Sequence, residues 1–191
     1  ALAAQFKTAD GGDYAPGTWS GREVLLTATA SDGGSGLRAV EYSLDGGATW
    51  NAYTAAVALS NGTYEVKVRA VDQAGNVQES ATTVVKAASG GLALDVTMTK
   101  ADGRPYEDGA WTNGPVTLRA HAEQPTAGIR LVTVSINGGI PQPYTDGEPI
   151  VFAAEGIHAI TVQAEDNAGH TAAARKTVRI GLTPPAVRLT A

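Results

Sequence analysis

Thr63-Tyr64-Glu65-Val66-Lys67-Val68-Arg69-Ala70 alternates without a break. Tyr64, Val66, Val68 and Ala70 point one way, and Glu65, Lys67 and Arg69 the other. Successive side chains of a strand face opposite sides of its sheet, so this stretch reads as a β-strand with one dry and one wet face. Asn61-Gly62 ahead of it and Asp72-Gln73-Ala74-Gly75-Asn76 behind it are turn formers. The same pattern returns at His158, Ile160, Val162 and Ala164, with Ala159, Thr161 and Gln163 opposite. There the turns are Glu155-Gly156 and Asp166-Asn167-Ala168-Gly169-His170, so Gly75 and Gly169 are read as paired structural glycines.

Working outward from these strands shows a duplication. Tyr14, Trp19, Val24 and Leu26 recur 92 residues on as Tyr106, Trp111, Val116 and Leu118. Gly36-Leu37-Arg38 recurs as Gly128-Ile129-Arg130, and Ser43-Leu44-Asp45-Gly46-Gly47 as Ser135-Ile136-Asn137-Gly138-Gly139. The offset slips at Tyr53/Tyr144 and again at Asp72/Asp166, as length changes in loops would make it. A unit this long exceeds the roughly 20–50 residues of a solenoid repeat and is a small domain in its own right. Neither copy shows sustained helical spacing. Strands are expected near 2–8, 22–30, 37–44, 50–53, 56–59, 63–71 and 80–87, then near 92–99, 115–122, 129–136, 142–145, 149–153, 157–165 and 173–180. The expected fold is all-β: two tandem seven-stranded antiparallel β-sandwiches, over 1–88 and 89–181. Residues 182–191 read as a stiff Thr183-Pro184-Pro185 linker and the first strand, Ala186–Thr190, of a further repeat.

Composition narrows function mainly by exclusion. With no cysteine there are no disulfides, thiolate metal sites or cysteine nucleophiles. A formal charge of −5 disfavours nucleic acid and anionic membrane, which need a basic face. No apolar run approaches the ~20 residues of a membrane span. The first repeat has no histidine, so a duplicated Ser-His-Asp triad is ruled out there. The chain opens on Ala1 without methionine and reads as a piece of a longer one.

Three groups of residues invite a chemical reading. Ser43-Leu44-Asp45-Gly46-Gly47-Ala48-Thr49-Trp50 fits S-x-D-x-G-x-T-W, resembling the Asp-box hairpin of sialidase propellers. In that family the motif is structural, and this chain is too short for a propeller. Asp45, Gly47 and Trp50 are therefore expected to be structural: a carboxylate bonding turn amides, a glycine at positive φ and a ring over the hairpin. Asp32, in Ser31-Asp32-Gly33-Gly34-Ser35-Gly36, and Asp72 would meet at one end of the first sandwich, making calcium the one cofactor considered. The plainer reading is that each closes its own turn. Trp19 and Trp111 are the carbohydrate-binding candidates, but an aromatic recurring just before a strand is expected to be buried as a plug of the sandwich end. His158, at the place of Tyr64, reads as a packed, hydrogen-bonded sheet residue.

Tyr42–Gly47, Tyr64–Asn76 and the paired Trp19-Ser20-Gly21 and Trp111-Thr112-Asn113-Gly114 together resemble bacterial immunoglobulin-like (fibronectin type III-like) repeats of secreted and cell-surface proteins. The resemblance covers nearly the whole chain. It implies non-catalytic, extracellular spacer, stalk or adhesive modules, or accessory modules beside secreted hydrolases. Expected partners are neighbouring domains of a longer chain, a surface protein or glycan, and a second copy reached through the C-terminal strand. The second copy departs at Asn137, at Pro141-Gln142-Pro143 and at His170.

Overall fold

The computed structural model describes residues 1–188 and divides them into two compact units, one built on Ala1–Gly91 and the other beginning at Leu92. Both are all-β. The first runs β1 (Leu2–Thr8), β2 (Trp19–Ser20), β3 (Val24–Ala30), β4 (Leu37–Ser43), β5 (Asn51–Ala52), β6 (Val57–Leu59), β7 (Asn61–Asp72), β8 (Val77–Glu79) and β9 (Thr83–Ala88). The second runs β10 (Ala93–Lys100), β11 (Trp111–Thr112), β12 (Val116–Glu123), β13 (Ile129–Ile136), β14 (Gln142–Pro143), β15 (Ile150–Phe152), β16 (Gly156–Asp166) and β17 (Thr171–Ile180). No helix among the described residues is long and apolar enough to cross a membrane.

In the first unit one sheet has the order β1-β3-β6 and the other β2-β9-β7-β4-β5, with β8 also on β7. In the second the orders are β10-β12-β15 and β11-β17-β16-β13-β14. Each unit is thus a Greek-key sandwich of immunoglobulin type. Among the described residues the units hold nine and eight strands rather than seven each. The additions are short: β2, β8 and β11, whose partners lie far off in sequence or follow an interruption. In the first unit Ser80 interrupts what is one continuous strand, β17, in the second. Its hydroxyl accepts the Val68 amide at 3.0 Å and so fills the gap in the ladder. The sheets are antiparallel except where β2 runs parallel to β9, and β11 to β17.

The alternation that decides β7 places its dry face as expected, with Val66 and Val68 each 1% exposed. They pack with Val24, Leu26 and Leu59 of the facing sheet and with Val85 of the neighbouring β9. The second core repeats this with Val116, Leu118, Val162, Val178 and Ile180, all fully buried. Burying each such side chain contributes about 1.5–3 kcal/mol. His158 packs on Phe152, with ring centroids 5.3 Å apart, and its Nε2 lies 2.9 Å from the Ala154 carbonyl.

A buried tyrosine hydroxyl ties the segment that crosses between the sheets to the last strand of each unit. The Tyr14 hydroxyl donates to the Thr18 carbonyl at 2.7 Å and accepts the Lys86 amide of β9 at 2.9 Å. Tyr106 does the same between the Ala110 carbonyl and the Arg179 amide of β17. Beyond Ile180, Leu182–Arg188 form no strand. Leu189 and Thr190, the rest of the strand expected there, lie outside the described residues.

Tyr106→Phe leaves the Arg179 amide without its acceptor while keeping the ring. It should lower stability by about 1–3 kcal/mol, the cost of one unmet buried polar group, read from urea unfolding. Val66→Asp, which buries an unpaired carboxylate, should abolish the first unit's thermal transition.

Candidate functional site

Asp32 and Asp72 do come to one end of the first unit, where both line a small cavity of about 150 Å³ with Ser31, Leu37 and Asn76. Their oxygens are engaged locally. Asp32 Oδ2 accepts the amides of Gly34 at 3.0 Å and Gly36 at 2.7 Å. Asp72 Oδ1 accepts the Asn76 amide at 2.8 Å, and its Oδ2 accepts Asn76 Nδ2 at 2.7 Å. The Asn76 side-chain bond holds the Asp72 carboxyl below its ordinary value. Gly75, at φ +88°, lets this turn close, and Gly169, at φ +87°, serves the matching turn of the second unit. No group of three or more His, Asp or Glu side chains placed to hold a metal occurs among the described residues.

Asp45 organises the β4–β5 hairpin. Its Oδ1 accepts the Ser43 hydroxyl at 2.7 Å and the Thr49 amide at 2.9 Å, and its Oδ2 accepts the Thr49 hydroxyl at 2.6 Å. These donors, with the Thr49 hydroxyl strongest, hold the carboxyl far below the usual carboxylate range. Ser43 is fully buried and its hydroxyl accepts the Gly47 amide at 2.8 Å. Gly47 sits at φ +106°, and a Cβ there would lie 3.5 Å from Trp50. Trp50 covers the hairpin and receives the Arg69 guanidinium 4.2 Å above its ring.

The tryptophans part company. Trp19 is half-buried, with Lys86 Nζ 6.0 Å from its ring centroid. Trp111 is 61% exposed, so the plug expected there is absent. Trp111 is level with Arg179 on β17, whose neighbours Val178 and Ile180 face the core, so the ring lies on the outer side of the sheet.

Two features escaped the sequence. The second unit has a hollow of about 380 Å³ lined by Ile136, Ile140, Pro143, Tyr144, Pro149 and Ile150, among others. It lies where Asn137 and Gly138 turn at φ +53° and +72° and where no counterpart of Trp50 covers the sheet. Tyr144 is no free aromatic, since its hydroxyl accepts the Ala120 amide at 3.0 Å and donates to the Glu148 carbonyl. His121 Nδ1 and Asp146 Oδ2 lie 2.7 Å apart, and Asp146 Oδ1 accepts the Ala122 amide at 3.0 Å. A histidine and an aspartate this far apart in the chain give no sequence signal.

No family model matches the chain, and no curated protein matches it. Among solved structures it is similar to the fibronectin(III)-like modules of Clostridium thermocellum CbhA, at 21% identity over 85% of this chain and 87% of that one, with a TM-score of 0.32. At that identity and score the fold assignment stands on the chain's own strands and cores.

Two measurements address these groups. Hydrogen bonding to Asp146 raises the His121 pKa above 6.5, and the His121 bond lowers that of Asp146 below 3.8. The raised histidine's stabilisation is full below its unfolded value and is lost as pH rises through the folded one. The depressed aspartate's is present above 3.8 and is lost as pH falls through its folded value. The second unit should therefore melt highest in mildly acidic buffer, with a small alkaline decline, the pair being exposed. His121→Gln should flatten that decline in melts from about pH 4 to about pH 9. Calcium at millimolar concentration should leave the first unit's melting temperature unchanged, because Asp32 and Asp72 already serve their own turns; a tight site would raise it.

Proposed function

We propose that this chain is a pair of non-catalytic immunoglobulin-like modules that space and display neighbouring domains of a bacterial secreted or cell-surface protein. One observation supports this reading above others: the carboxylates best placed for chemistry are tied into the turns that bear them. Asp32, Asp45 and Asp72 each accept backbone amides within their own loop. Groups so used hold loops rigid and are not poised to exchange protons. The last strand of each unit is also clasped on both sides, by β7 and β2 in the first and by β16 and β11 in the second. Tension on the chain ends then has to break a backbone ladder, which suits a load-bearing spacer. A second reading, a carbohydrate-binding accessory region of a secreted hydrolase, is favoured by the exposure of Trp111.

Pulled from its ends by atomic force microscopy, the chain should give two separate unfolding peaks, each releasing about 30 nm for roughly 90 residues. A single merged peak, or turnover of glycoside, peptide or ester substrates, would contradict the proposal.

A further inference from the structure

Trp111 rests against Gly181, where an added Cβ would come within 3.5 Å of its Cε3 and 3.7 Å of its Cζ3. The ring remains 61% exposed. It forms one wall of an open hollow of about 410 Å³ whose other lining residues are Lys100, Thr112, Asn113 and Gly181. A large exposed indole ringed by hydrogen-bonding side chains offers an apolar face beside polar anchors. Lys100 is exposed and makes no ion pair among the described residues. Level with Trp111 on β17, Arg179 has its Nε buried without a hydrogen-bond partner among the described residues. In a chain of net charge −5, this is a place where cationic groups lack acidic partners.

The duplicate provides an internal control. The counterpart of Lys100 is Thr8, whose hydroxyl is bonded to Asp10 at 2.5 Å. The counterpart of Trp111, Trp19, is half-buried with Lys86 above its ring. The same fold position is thus closed in the first unit and open, with a free ammonium, in the second.

We propose that Trp111, Lys100 and Asn113 form a binding platform for a carboxylated polysaccharide. The C–H face of a pyranose ring stacks on the indole, the uronate carboxylate meets Lys100 in a charge-assisted bond, and Asn113 bonds a ring hydroxyl. This deepens the sugar-binding reading above and rests on it; the spacer role stands apart from it.

The test is electrophoresis of the whole chain through native gels containing polygalacturonate or, separately, neutral dextran. Wild type should be retarded by polygalacturonate, and less so as salt rises. Trp111→Ala should weaken retardation roughly tenfold, a stacking contact's worth. Trp19→Ala should change nothing. Lys100→Gln should remove the preference for the acidic polymer; because Lys100 is exposed, this variant decides the matter even if Trp111→Ala fails to fold. Equal retardation by dextran and polygalacturonate would overturn the carboxylate preference while sparing sugar binding. No retardation by either polymer, or retardation indifferent to both variants, would overturn the platform.

Discussion

Each unit depends on one buried hydroxyl. Tyr14 and Tyr106 are 8% and 5% exposed, and each hydroxyl receives an amide of the last strand while donating to a carbonyl four residues downstream. The segment that bears the tyrosine is the one that leaves the first sheet and joins the second: β1 pairs with β3, whereas β2 pairs with β9. A chain crossing between sheets exposes backbone groups that neither ladder serves, and a buried group left unpaired costs as much as a lost hydrogen bond. The tyrosine supplies both missing partners while its ring joins the core. Gly17, whose amide donates to the Val84 carbonyl at 2.8 Å, and Gly109, whose amide donates to that of Thr177 at 2.9 Å, complete the same seam.

With the seam fixed, the sandwich has a settled core and its loops are free to diverge. Divergence is concentrated at the hairpin that follows β4 in one unit and β13 in the other. In the first, Asp45 gathers three donors and Trp50 covers the turn. In the second, Asn137 takes the left-handed conformation, its side-chain oxygen accepting the Ala159 amide at 2.8 Å and its own amide donating to the Ala159 carbonyl at 2.7 Å. An asparagine tolerates that conformation and can bond locally, so a tighter turn needs no aspartate. The shortened turn leaves Ile140 83% exposed. The same contrast, one copy closed and the other open, holds at the tryptophans. The two copies thus share the elements that fold the unit and differ in the loops and faces around them.

The period-two alternation of β7 and β16, the turn glycines at Gly75 and Gly169 and the duplication were legible in the sequence, because each is a local or repeated pattern with a direct physical meaning. The bonds of Asp45 to Ser43 and Thr49 are of the same local kind, with both partners within four residues of it. Non-local partners decided the rest. Two residues suffice for β2 and β11 only because a finished strand lies beside them, and their parallel sense follows from the crossing segment rather than from composition. The pairing of His121 with Asp146 joins positions that only the folded sheet brings within 2.7 Å. The identical residue type at Trp19 and Trp111 promised one environment. Yet each is level with a cation of the last strand, Lys86 or Arg179, and what differs lies further along that strand: Gly181 against Trp111 where the first unit has Ala88. Sequence determined the fold class and the repeat, because these follow from local alternation; the tertiary structure alone decided which duplicated side chain faces water, because that depends on neighbours the chain supplies from far away.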